Sequence, residues 1–225
     1  MNDYLTRSQM LLGNEKIDSF KGKVILLAGL GGVGGTALEV LARSGFTNFV
    51  LVDFDKVDPS NLNRQILFTE NDIGKDKTEI AKNRILSINC GLNVQIINQK
   101  IDENFVLPSD LKIDFIVDAI DYIPGKLWLI QFALKNNIPF ISSLGMGNRI
   151  DPSMVKITNL NKTEGDPLAR KIRYESRQLG LDLSKIKVVF STEEPILVSK
   201  TPASMMMVPS AAGLLIAKYV ITTVK

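Results

Sequence analysis

KVILLAGLGGVGG, residues 23–35, runs from an unbroken apolar segment into a cluster of glycines. An apolar run without alternation is the pattern of a strand covered on both faces, as in a parallel sheet. Gly29, Gly31 and Gly34 then stand in G-x-G-x-x-G register, and residues 32–45, GVGGTALEVLARSG, read as a helix stopped by Gly45. Glycines at such a strand-to-helix turn let phosphate oxygens approach the backbone N–H groups at the helix N-terminus. Gly32 doubles the second glycine, which is read as removing a side chain that would face the phosphates.

The same alternation continues outward. NFVLVD (48–53) is a second strand, KDKTEIAKNRILSIN (75–89) an amphipathic helix, and NVQIINQ (93–99) and IDFIVDAI (113–120) the third and fourth strands. IPGKLWLIQFALKNN (123–137) is a helix and IPFISSL (138–144) a fifth strand. Strand and helix alternating from Lys23 to Leu144 predict an α/β fold, a doubly wound (Rossmann-like) mostly parallel sheet that binds nucleotide at its carboxyl edge. Residues 1–20 read as one helix, with Leu5, Gln9, Leu12 and Ile17 near helical spacing.

After Gly147 the pattern changes. NRIDPSMVKITNL (148–160) alternates like an antiparallel pair, and IKVVFS (186–191) is a further strand. DPLARKIRYESRQLG (166–180) is a helix with Asp166 as N-cap, Pro167 in its first turn and Gly180 as stop. PSAAGLLIAKYVITTV (209–224) is a closing helix rich in small residues. The expected organisation is one domain over residues 1–225, with 1–150 as the nucleotide-binding part and 151–225 as the substrate and dimer part.

Composition narrows the chemistry. The chain of 225 residues is 45% hydrophobic, enough for one substantial core. Its formal net charge of +3 permits a polyanionic partner without demanding one. A single cysteine excludes a disulfide framework and a paired-cysteine zinc site, so no zinc is expected. The absence of histidine removes the usual general base. The N-terminus is charged and has no continuous apolar core, and MMMVPSAAGLLIA (205–217) is too short and interrupted to span a bilayer. These features predict a cytoplasmic protein with no membrane contact.

The acids and bases at the strand ends are more specific. Asp53 ends the second strand, where a carboxylate accepts ribose hydroxyls. Asn61 supplies an amide donor, Arg64 a guanidinium fork and Lys77 a compact charge. Asp121, in VDAID, lies at the carboxyl edge of the sheet, where a carboxylate beside a polyphosphate suits Mg²⁺. The glycine loop and Asp53 alone fit a nicotinamide dehydrogenase equally well. Hydride transfer, however, requires none of the other four residues, whereas an intact triphosphate uses them all. Singly each has a plainer role: Asn61 in a turn, Arg64 and Lys77 as solvated charges, Asp121 as a helix cap. Along the helix from Pro167, Arg170, Arg173 and Arg177 share a face with Lys171 beside them, a stripe that either tracks a phosphate backbone or is simply solvated. Cys90, in INCG, reads as a packing residue.

GLGGVG (29–34), DFDKVDPSNLNRQ (53–65), GKDK (74–77) and VDAID (117–121), with RSQMLLG (7–13) ahead of them, make the chain resemble the ubiquitin-activating-type adenylyltransferase superfamily, which includes the enzymes that activate thiamine and molybdopterin sulfur carriers. SSLGMGNRIDPSMVKITNLNKT (142–163), DPLARKIR (166–173), KVVFSTEEP (187–195) and VPSAAGLLIAKYVI (208–221) are similar to the tRNA threonylcarbamoyladenosine dehydratases. The resemblance implies MgATP held by Gly29, Gly31, Gly32, Gly34, Asp53, Asp55, Asn61, Arg64 and Lys77, with Asp121 on the metal. It implies Arg7 reaching the ATP of a partner subunit, hence a homodimer. The implied activity is adenylation of a threonyl carboxylate on tRNA followed by ring closure. The rival within the superfamily is activation of the C-terminal glycine of a ubiquitin-like sulfur carrier, and a catalytically idle binding module is the third reading. Whether a sulfur-transfer protein docks is left open by these residues. The stretch ILVSKTPASMMMVPS (196–210) is short and carries one lysine, Lys200, a departure that leaves the extent of the tRNA footprint open.

Overall fold

The computed structural model describes residues 4–197 and 202–225, so residues 1–3 of the expected opening helix and Lys200 lie outside the described residues. The elements in chain order are α1 (Thr6–Leu12), α2 (Asn14–Asp18), β1 (Val24–Ala28), α3 (Gly32–Arg43), β2 (Asn48–Val52), α4 (Lys77–Ile88) and β3 (Asn93–Ile97). They continue with β4 (Phe115–Asp118), α5 (Ile123–Lys135), β5 (Phe140–Ser143), β6 (Val155–Asn159), α6 (Pro167–Gln178), β7 (Lys187–Ser191) and α7 (Met207–Thr223). Among the described residues the strands form one sheet in the order β3-β2-β1-β4-β5-β7-β6, parallel throughout except for the β6–β7 pair.

Period-two alternation sorts the strand side chains into two cores. Ile25, Leu27, Phe49, Leu51, Phe115, Val117 and Ile141 face one side, where α3 and α7 cover them. Leu26, Ala28, Val50, Val52, Ile116, Phe140, Val188 and Phe190 face the other, against α5 and α6. Both faces are covered, which explains why the strands are apolar at successive positions. The sheet is continuous across residue 150, because β5 pairs with β7.

Strand order reverses between β1 and β4, and such a switch point opens a crevice at the carboxyl ends of the strands. Gly29 leaves β1 there with φ +88°, and a Cβ on it would lie 2.6 Å from the carbonyl oxygen of Ala119. Only glycine fits both the left-handed backbone and this approach.

Two expectations are corrected. The opening helix is two helices, broken at Gly13, whose φ of +83° interrupts the helical path. Residues 148–160 supply one strand rather than a pair: Pro152 opens a short 3₁₀ turn, and β6 finds its antiparallel partner in β7. The small residues of α7 serve packing within the chain. A Cβ on Gly213 would lie 2.6 Å from the carbonyl oxygen of Val33 and 2.7 Å from Thr36 Cβ, and Ala212, Ile216 and Ala217 are fully buried. They therefore give no support to a dimer contact.

Candidate active site

The switch point carries a cleft of about 670 Å³. It is lined by Gly29, Gly31, Gly32, Asp53, Asp55, Asn61, Arg64, Lys77 and Asp121. Ser143–Gly147, Leu168, Pro202 and Ser204 line the same cleft, with Ser204 tied to the Arg64 loop by the Asn63 amide, which donates to its carbonyl at 2.8 Å.

The glycines divide their work differently from the sequence reading. A Cβ on Gly31 would meet nothing nearer than Gln65 Nε2 at 3.8 Å, so Gly31 is the open position. A Cβ on Gly32 would sit 3.1 Å from both the Arg64 carbonyl oxygen and Pro209 Cβ. Gly32 therefore makes room for the following loop and for α7, not for phosphates. A Cβ on Gly34 would lie 1.8 Å from the Gly29 carbonyl oxygen, so this glycine lets α3 close onto β1.

Asp53 is buried at the end of β2. Its Oδ2 accepts from the Leu30 N–H at 2.7 Å and its Oδ1 from the Asp55 N–H at 2.9 Å, tying the glycine loop to the second strand. Burial pushes its carboxyl above the usual aspartate value, and the two N–H bonds only partly oppose that. Asn61 holds two roles in one side chain. Its Oδ1 accepts from the Asp58 N–H at 3.2 Å in a capping box, while its amide nitrogen has no partner among the described residues. Lys77, at the first position of α4, is buried, and Asp55 holds its Nζ at 3.0 Å. Arg64 anchors one nitrogen on the Ser60 carbonyl (2.8 Å) and Asn63 Oδ1 (2.9 Å) and keeps its remaining N–H groups unpaired among the described residues. Asp121 is exposed on the loop after β4. Asp53 and Asp55 are engaged by backbone N–H groups and Lys77, so Asp121 is the cleft carboxylate without a partner among the described residues, which fits Mg²⁺, an ion that takes one or two protein carboxylates and completes its shell with phosphate oxygens and water.

Two predicted groups lie elsewhere. Arg7 is exposed on α1 and does not line the cleft. Of the basic helix, Arg170, Lys171 and Arg177 are exposed, but Arg173 is half-buried and donates to the carbonyl and hydroxyl oxygens of Thr163. Cys90 is exposed rather than packed, because it stands in the turn that leaves α4, and it does not line the cleft.

Sequence reasoning missed other residues. Gln65 is buried on the cleft wall with its Oε1 unpartnered. It closes the quoted NLNRQ, so its position was a signal. Lys126 and Asp118 form a fully buried pair beneath Asp121. Nothing in IPGKLWLI distinguishes a buried lysine from a solvated one. Lys100 lies 3.8 Å from the centre of the Tyr122 ring on the same cleft, a contact between the segments that follow β3 and β4, two strands that are not neighbours in the sheet.

A doubly wound sheet with its cleft at this switch point is the architecture of a nucleotide-binding protein. The model of the ThiF family matches residues 5–223, and the chain belongs to that family, within it to the tRNA threonylcarbamoyladenosine dehydratases. It is 33% identical to the tRNA threonylcarbamoyladenosine dehydratase of Bacillus subtilis, over 96% of this chain and 92% of the relative. It is 34% identical to the enzyme of that name from Escherichia coli, over 81% of this chain and 71% of the relative. The crystal structure of E. coli tRNA N6-threonylcarbamoyladenosine dehydratase in complex with ATP superposes with a TM-score of 0.91 at 31% identity, covering 98% of this chain and 93% of that one. Among the described residues, no helix is long and apolar enough to cross a membrane.

Proposed function

We propose that the protein dehydrates threonylcarbamoyladenosine beside the anticodon of tRNA, using ATP. The observation that carries this reading is the shared cleft: the residues read as ATP-binding and Leu168 line one cavity, and Leu168 stands within one turn of the exposed Arg170 and Lys171. An RNA laid along that basic face would deliver its modified base to the nucleotide.

The threonyl carboxylate attacks the α-phosphate of ATP and pyrophosphate leaves. The neighbouring carbamoyl group closes on the acyl carbon and AMP leaves. Closure is intramolecular, so the attacking group is already held close and no enzyme nucleophile is required. Asp53 binds the ribose, and Gly31 leaves backbone N–H groups open to the phosphates. Arg64, Lys77 and the Asn61 amide stabilise charge on the α-phosphate and the departing pyrophosphate. Asp121 would hold Mg²⁺, which screens phosphate charge when bound. The reading uses no zinc. It also places one domain in a cytoplasmic homodimer with Arg7 donated across the interface; a sulfur-transfer protein is not needed for either step.

The test is pyrophosphate release from ATP in the presence of tRNA carrying threonylcarbamoyladenosine, beside a carrier protein ending in Gly-Gly, with mass spectrometry of the nucleosides. Loss of one water from the modified nucleoside is the expected result. Release driven by the carrier alone would replace this reading with sulfur-carrier activation. Asp121→Ala should lose roughly 2.7–4 kcal/mol of transition-state stabilisation while keeping the fold; near wild-type turnover in Mg²⁺ would remove Asp121 from the site.

A further inference from the structure

The residues read as ATP-binding leave one stretch of the cleft lining, Ser143–Gly147, without an assigned task. Behind it lies Arg149, of which only 5% is exposed. Its Nε donates to the Glu193 carbonyl at 2.9 Å, and its Nη1 donates to the carbonyls of Gly145 and Gly147, each at 3.1 Å. Its Nη2 is buried without a partner. The Glu193 carboxylate does not neutralise it, being taken up by the N–H groups of Ile150 and Asp151. A buried cation without a carboxylate partner is expensive, so a role beyond packing is indicated.

A trans planar peptide points its C=O and its N–H in opposite directions. The Gly145 carbonyl is turned onto Arg149, so the N–H of Met146 points away from it. That N–H has no hydrogen-bond partner among the described residues, and neither has the N–H of Gly147. Met146 is only 6% exposed and lines the cleft. A backbone donor left open on a sheltered wall is matched to an acceptor on a ligand.

We propose that the Met146 N–H, aimed by Arg149, binds the carboxylate of the substrate and then the oxyanion formed during ring closure. This rests on the dehydratase reading. In the first step one carboxylate oxygen bonds to the α-phosphorus, the bond from phosphorus to the bridging oxygen breaks, and pyrophosphate departs with the electron pair. The other carboxylate oxygen accepts from Met146. In the second step the carbamoyl group attacks the acyl carbon, and an electron pair moves onto that same oxygen. Collapse breaks the acyl C–O bond, AMP leaves with its electrons, and the carbamoyl proton passes to solvent. A fixed donor aimed at developing charge acts mainly on the transition state, and the positive charge behind the loop favours the anion in both steps. Arg149 is thus a positioning residue.

Met146→Pro deletes the N–H. Single turnover with threonylcarbamoyl-tRNA should fall on the order of 10²–10³-fold, with ATP affinity unchanged. A folded Met146→Pro enzyme with wild-type turnover overturns the proposal. Proline could disturb the loop, so Arg149→Met supplies a second arm: it should raise KM for the modified tRNA and lower kcat without altering ATP affinity, and Arg149→Lys should recover part of the loss. Wild-type constants in folded Arg149→Met, or a parallel loss of ATP affinity, also overturn it. A wild-type enzyme that binds ATP yet leaves the modified tRNA unchanged removes the dehydratase reading itself, and this inference with it.

Discussion

Lys126 and Asp118 meet at 3.0 Å with neither side chain exposed at all, and Ser142 on β5 bonds to both. Asp118 also accepts from the Ile120 N–H at 3.2 Å, so the pair fixes the start of the loop that presents Asp121. Removing one partner leaves an uncompensated buried charge, which costs about 3–5 kcal/mol. Lys126→Met should therefore destabilise the fold by that order in urea denaturation. Adding Asp118→Leu should recover part of the loss, because the orphaned charge goes too. A second change that adds its full cost would mean the two residues act independently.

Gly31 and Gly34 should respond oppositely to alanine. At Gly34 the new Cβ would lie 1.8 Å from the Gly29 carbonyl oxygen, so Gly34→Ala must separate α3 from β1 and lower the melting temperature. At Gly31 the nearest atom is 3.8 Å away, so Gly31→Ala should keep stability and lose ATP affinity by occupying phosphate space. Calorimetry of unfolding and of ATP binding separates the two effects.

Glu39 links α3 to α4. It accepts from Arg43 at 2.6 and 2.8 Å and from Arg84 at 3.0 Å through both oxygens. Burial alone would raise its carboxyl, but the bonds and charges of Arg84 and Arg43 together hold it below the usual glutamate value. A lowered folded-state value adds stability above the unfolded value and loses it as pH falls through the folded one. Glu39→Gln should thus be less stable than wild type at neutral pH, with the gap closing in acid. A gap independent of pH would show that packing, not charge, is the link. Asp53 works in the opposite sense: burial raises its carboxyl, so its contribution is lost as pH climbs through the folded value.

The basic face of α6 should be tested without Arg173, which holds Thr163. Glutamate at Arg170, Lys171 and Arg177 together should weaken tRNA binding and flatten its salt dependence, since fewer counterions are released. ATP binding should not change. Unaltered affinity and salt slope would make this face merely solvated.

Arg7 and Asp121 provide a test of the dimer. If Arg7 acts across a two-fold interface, Arg7→Ala and Asp121→Ala are each nearly inactive, yet co-refolding equal amounts restores activity in roughly a quarter of sites. Formation of mixed dimers without any recovery would place Arg7 outside the partner's site.

Local patterns carried the nucleotide half of the molecule. Apolar strands, the glycine turn at Gly29 and the acid at Asp53 are set by neighbours a few residues away, so spacing along the chain was enough to place them. The segments after Gly147 were legible chiefly through their resemblance to known enzymes. What tertiary structure decided was the use of each side chain. Gly32 looked like phosphate space and instead admits the Arg64 carbonyl and Pro209, 177 positions further along, as the numbering itself records. Arg173 looked like one of three equal charges and is tied to a threonine ten residues back. The small residues of α7 had no assigned neighbour in the sequence, and the fold packs Gly213 against Val33 and Thr36 of α3. The reason is common to all: burial and hydrogen bonding depend on which distant segment arrives opposite a residue, and the order of strands in the sheet, not the order of residues in the chain, determines that.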